Sequence, residues 1–171
     1  MTTKDTHPYA DSPLEPQSST VVHTAITEEP LEPLHATAKR QTMTQQMGAL
    51  VIFDGIVRNH DHGQAVAALS YSAHPQAQDF MERTVQGVAD QLSGVRLWAV
   101  HRVGPIAIGE SALTVLAAAG HRGLAFTACE MVADRIKAEV PIWKEQELTD
   151  GAVEWVGIDT PPANHHGDKT P

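Results

Sequence analysis

Apolar and polar positions recur along this chain with two periods, and the switches between them mark out strands and helices. Residues 49–53 (ALVIF) are a short apolar run, ended by Asp54 and Gly55, of the kind found in a buried strand. A polar loop follows at 59–64 (NHDHGQ), and an extended pattern resumes over 66–71, so that the two strands could pair as a hairpin with a long, mobile connection. Pro75 suits the first turn of a helix. From there Ala77, Phe80, Met81, Thr84, Val85, Val88 and Leu92 recur at helical spacing until Gly94. Residues 95–103 alternate as a strand, Gly104 and Pro105 break it, and 112–119 (ALTVLAAA) is apolar on both sides, as in a central strand. A second helix after His121 places Ala125, Phe126, Cys129, Val132, Ala133 and Ile136 on its inner face, and Pro141 stops it. Residues 142–148 and 153–156 read as a closing hairpin around Asp150 and Gly151. The fold class is α+β, with two main helices packed on a mostly antiparallel sheet.

The two ends lack such periodicity. Residues 1–40 contain Pro8, Pro13, Pro16, Pro30 and Pro33 among Thr, Ser, Glu and His, which predicts a disordered or loosely attached arm. Residues 159–171 predict a flexible tail, which leaves 41–158 as one domain of ordinary size with its own core. With no apolar run long enough to cross a bilayer and no secretory pattern at the N-terminus, the chain is expected in the cytoplasm, away from membranes. A net charge of -9 argues against a nucleic-acid partner. Cys129 is the single cysteine, so no internal disulfide forms, and its place on the inner helix face predicts an inert thiol.

Against that acidic background, residues 120–146 concentrate His121, Arg122, Lys137 and Lys144 in one short unit. A strand feeding a helix near Arg122 exposes unpaired backbone N–H groups, and the two side chains beside them make a seat for phosphate. A surface ion pair for Arg122 and a capping role for His121 account for the same residues. Arg58 leaves a buried strand beside Gly55 and can grip an anion with two parallel donors, or be a solvated loop charge. Lys137 alone complements the helix dipole. Lys144 sits beyond Pro141 beside Trp143 and is not explained that way; if the two amines converge, they can serve as general base, general acid or nucleophile. None of the ten histidines falls in a zinc-binding spacing, the pair His60 and His62 and the pair His165 and His166 included, so no metal is expected.

Four stretches, FDGIVRNHDHG, AVHRVGPIAIGE, AAAGHRGLAF and DRIKAEVPIWKE, resemble the large, catalytic subunit of molybdopterin synthase. The resemblance extends over roughly residues 48–156. It implies an α/β-hammerhead type of fold and a sulfurtransferase of molybdenum cofactor biosynthesis, acting on a cyclic pyranopterin monophosphate. Two sulfurs would arrive as the thiocarboxylate of a small ubiquitin-like subunit. The large subunits would form a homodimer, with a small subunit docked at each end of a heterotetramer and no metal or redox cofactor. Lys137 and Lys144 then look like the catalytic lysines. Ile56, Val57, Arg58, His121 and Arg122 look like substrate-binding residues, joined by Lys137, Lys144, Glu145 and Gln146. The last two depart from the usual pattern of a basic residue followed by Glu.

Arg122 and Lys137 lie 15 positions apart on one helix, about 22 Å at 1.5 Å per residue. A small substrate hardly spans that distance, so a composite site is expected. His121 and Arg122 would come from one protomer and Arg58, Lys137 and Lys144 from its two-fold mate. A non-catalytic module that holds the same phosphate or the same tail is the competing reading. A nucleotide-binding domain lacks its phosphate-cradling glycine motif.

Overall fold

The computed structural model describes residues 18–157. Two sheets and three helices form an α+β domain. The strands are β1 (Thr20–Thr27), β2 (Ala49–Ile56), β3 (His60–Asp61), β4 (Gln64–Ala73), β5 (Val95–Arg102), β6 (Gly104–Ile106), β7 (Ser111–Ala119), β8 (Ile142–Leu148) and β9 (Val153–Val156). The helices are α1 (His35–Thr42), preceded by a 3-10 turn at Glu32–Leu34, then α2 (Ala77–Gln91) and α3 (Arg122–Glu139). The first sheet runs β1-β5-β7-β2, and the second runs β3-β4-β8-β9 with β6 on β4. All pairings are antiparallel except β1 with β5. No described helix is long and apolar enough to cross a membrane.

β7 is central, as its two-sided apolar pattern predicts: all nine of its residues are buried, between β5 and β2. The alternation of side chains across a strand sends Leu97, Ala99, Val115 and Ala117 to one face, where α2 and α3 cover them with Met81, Val85, Val132 and Ile136. Trp98, Val100 and Leu116 go to the other face, under Leu31 and Ala38 of the N-terminal segment. The first sheet is therefore covered on both sides.

That second layer corrects the expected arm. Residues 20–42 hold a strand and a helix, and Leu31 and Ala38 are at most 1% exposed. In TVVHTAIT, Thr20, Val21, Val22, Thr24, Ile26 and Thr27 are β-branched, a strand signal that the flanking prolines obscured. β1 then docks in parallel on β5, a partner that local sequence does not reveal. Residues 1–17 of the expected arm and 158–171, with the predicted tail and His165 and His166, lie outside the described residues.

A second correction concerns the predicted hairpin. β2 pairs with β7 and β4 with β8, so the two strands belong to different sheets. A register shift between Gly55 and Ile56 turns the chain out of the first sheet. The expected mobile loop is instead the short β3–β4 hairpin, closed by His62 and Gly63, both at positive φ, as a two-residue turn of right-handed strand twist demands.

Candidate active site

The two sheets diverge at the end of β2, and the cleft between them is closed by the last turn of α3. A cavity of ≈ 540 Å³ lies there, the size of a small-molecule site. Three elements bring the predicted cations into it. Arg58 comes from the chain leaving β2, Lys137 from the last turn of α3, and Lys144 from β8, just after Pro141 ends the helix. Alternation along β8 aims Lys144 and Gln146 at the cavity and leaves Glu145 off its lining. Tyr71 and Leu69, directly opposite Lys144 and Gln146 on β4, face the same way. Ile56 and Val57 line the cavity as well, with Ile136, Val140 and Ile142 as an apolar wall.

His121 and Arg122 are exposed at the opposite end of α3 and do not reach this cavity. His121 occupies the N-cap with extended backbone and makes no side-chain capping bond. The single chain thus brings together Arg58, Lys137 and Lys144, and leaves the predicted phosphate seat elsewhere.

The two lysines differ in surroundings. Lys144 is partly buried and donates to Asp61 Oδ2 at 2.6 Å. Lys137 is exposed, with no ion-pair partner among the described residues. Asp61 also accepts from Arg58 Nη2 at 3.2 Å. The hydrogen bond from Lys144 holds its carboxyl down at about 2, against the opposing effect of burial. Local sequence did not single out Asp61; it shows only once the second sheet brings the β3–β4 hairpin and β8 together, with β4 paired to both strands. Gln146 is fully buried, donates from Nε2 to Glu154 at 2.8 Å, and leaves Oε1 without a partner among the described residues.

His101, at the end of β5, is another lining residue that periodicity did not single out. Its Nδ1 lies 2.7 Å from the Arg102 carbonyl, which can only accept, so Nδ1 carries the hydrogen and Nε2 the lone pair. Burial pulls its pKa down to about 4. Its ring meets Tyr71 edge-on at 5.0 Å, and burial pushes the Tyr71 hydroxyl up. Cys129 is buried beneath β7, and burial pushes its thiol up to about 11, which fits the inert role expected of it. Among the described residues no group of three His, Cys, Asp or Glu is placed to hold a metal.

Much of the lining of this cavity, Arg58 and Lys137 included, lies in a segment that known proteins share. The family model described as MoaE protein matches residues 26–139. The chain belongs to the MoaE protein family. A relative of it, the molybdopterin synthase catalytic subunit 1 of Mycobacterium tuberculosis, is 40% identical over 116 residues, covering 66% of this chain and 76% of its own. The crystal structure of molybdopterin synthase from Staphylococcus aureus superposes with a TM-score of 0.70 at 31% identity, over 77% of this chain and 95% of that one. A Helicobacter pylori complex of subunits 1 and 2 of molybdopterin-converting factor shares the fold, with a TM-score of 0.62 at 22% identity over 81% and 91%. The MoaE match begins at the last two residues of β1 and takes in α1, so Leu31 and Ala38 lie within the matched segment.

Proposed function

We propose that this chain is the catalytic subunit of a molybdopterin synthase, a sulfurtransferase that converts cyclic pyranopterin monophosphate to molybdopterin in molybdenum cofactor biosynthesis. The observation that carries this reading is the convergence of Arg58, Lys137 and Lys144 on one cavity of substrate size in a MoaE-family chain. The sulfur donor is the thiocarboxylated C-terminus of a small ubiquitin-like subunit. Its negative charge is drawn to the cationic cavity, where exposed Lys137 meets it first. Lys137 and Lys144 are the catalytic pair, moving protons as sulfur replaces oxygen on the pterin side chain. Arg58, with Ile56, Val57 and Gln146, holds the substrate.

The phosphate is held by His121 and Arg122 of a second copy of the chain. This division is supported by their position at the far end of α3 and by exposed apolar side chains on edge strand β2 and on α3. Ile52 and Phe53, expected in a buried strand, and Phe126, expected on the inner helix face, are instead 43%, 38% and 60% exposed, because β2 is an edge strand. They form an apolar surface that a homodimer would cover. With a small subunit at each end the assembly is a heterotetramer, working in the cytoplasm without a metal or redox cofactor of its own.

The test is turnover by purified chain, thiocarboxylated small subunit and pyranopterin substrate, read as dithiolene product. Lys137→Ala should abolish product while the two subunits still associate; full activity in that variant would remove Lys137 from the mechanism. Mixing Arg122→Ala chains with Lys137→Ala chains should restore part of the activity, because one site in the mixed dimer is then intact. A mixture as inactive as its parents counts against the shared site.

A further inference from the structure

We propose that Asp61 is a positioning residue of this site, an internal counter-ion that fixes Lys144 and Arg58 and keeps stray anions off them. The inference rests on the proposed function for its catalytic consequence, and on geometry alone for its electrostatic one. Asp61 is 8% exposed, and its two oxygens are divided between the two cations: Oδ2 takes Lys144 at 2.6 Å and Oδ1 takes Arg58 at 3.2 Å. Side chains from the exit of β2 and from β8 meet the β3–β4 hairpin at this one carboxylate, in addition to the backbone pairing of β4 with β8.

The hairpin is built to deliver it. Asp61 is the last residue before the turn at His62 and Gly63, opposite Gln64, and the positive φ of both turn residues holds the hairpin tightly closed. His62 Nε2 stands 3.8 Å from Oδ1 and adds a third positive neighbour when protonated. A carboxylate so placed has two effects. It limits the rotamers of a four-carbon ammonium stem that would otherwise sweep the cavity. It also cancels part of the charge that would make Arg58 and Lys144 a general anion trap, so that of the three cations exposed Lys137 is the one without an ion-pair partner among the described residues.

The experiment compares wild type with Asp61→Asn, a near-isosteric change that removes the charge. Both are full chains assembled with the thiocarboxylated small subunit. We expect kcat to fall about tenfold with KM for the pterin within about threefold, since a loosened lysine slows the reacting step more than it weakens binding. Inhibition by inorganic phosphate should become about five- to tenfold stronger, because phosphate takes the place the carboxylate vacates. Asp61→Glu should recover part of both properties. Unchanged kcat and unchanged phosphate sensitivity in Asp61→Asn would overturn the proposal. So would a loss of activity without any gain in phosphate affinity, which marks a merely structural residue. If wild type shows no turnover, the proposed function fails instead, and phosphate titration of the two chains by calorimetry still decides the role of Asp61. Should Asp61→Asn melt well below wild type, Asp61→Ser is titrated in its place with the same expectation.

Discussion

Asp61 and Lys144 stand 83 positions apart in the chain and meet at 2.6 Å, whereas Lys137, seven residues before Lys144, has no ion-pair partner among the described residues. The two lysines therefore contribute differently to the folded state. Removing Lys144 leaves a largely buried carboxylate with one cation in place of two, and such losses cost about 1–3 kcal/mol. Removing exposed Lys137 touches nothing that holds the fold, so its effect should stay within about 0.5 kcal/mol. Urea unfolding of Lys144→Ala and Lys137→Ala measures the contrast. Equal stabilities would mean that the Asp61 pair contributes nothing to folding.

His101 makes stability fall on mild acidification. Its folded pKa of about 4 lies below the ordinary 6.5, so the unfolded chain takes up the proton first. Between those values the unfolded state binds more protons than the native one, and stability rises with pH. The stability is whole above pH 6.5 and declines as pH falls towards 4, by up to ~3 kcal/mol at 1.36 kcal/mol per unit. Replacing His101 with Gln, which does not titrate, should flatten the unfolding free energy across that window. A curve as steep as that of wild type would assign the dependence to other groups.

Leu31 tests whether the N-terminal layer belongs to the core. It is fully buried, against Trp98, Val100 and Leu116 on the outer face of the first sheet. Leu31→Ala should cost about 2–5 kcal/mol, the range for a leucine truncated in a packed interior. A loosely attached arm would show almost no change, and calorimetric melting separates the two.

Gly48 sits where β2 enters beside the end of β7, with its N–H donating to the Ala119 carbonyl at 3.1 Å. A Cβ there would come within 2.5 Å of the Gly120 carbonyl oxygen, so backbone must move. Gly48→Ala is expected to destabilise by about 1–3 kcal/mol. Because Gly120 leads directly into His121, it should also shift the start of α3, which amide exchange at 121–125 would report. Unaltered stability and exchange would show that the strand can slide aside at little cost.

The local part of this structure was legible in the chain. Continuous apolar runs marked β2 and β7, helical spacing marked α2 and α3, and Pro141 placed Lys137 and Lys144 on either side of a break. These features depend on neighbours in sequence, where side-chain period and backbone restriction act. The strand in TVVHTAIT was carried by β-branched threonines that resemble loop residues, and its neighbouring prolines outweighed that signal. The pairing of β2 with β7 rather than β4 was out of reach, since a strand's choice of partner is set by which distant surface it covers.

The same division runs through the site. Residue identity alone determined that residues 120–146 of an acidic chain carry five basic groups, His121, Arg122, Arg135, Lys137 and Lys144, and that Arg58 leaves a strand three residues after a glycine. Only the tertiary structure decided that Arg58, Lys137 and Lys144 share a cavity while His121 and Arg122 stand at the other end of a helix. It also supplied Asp61 and His101, because the field at an ionisable group comes from whatever folding brings within a few ångströms, and that arrangement is not written in the spacing of any one stretch.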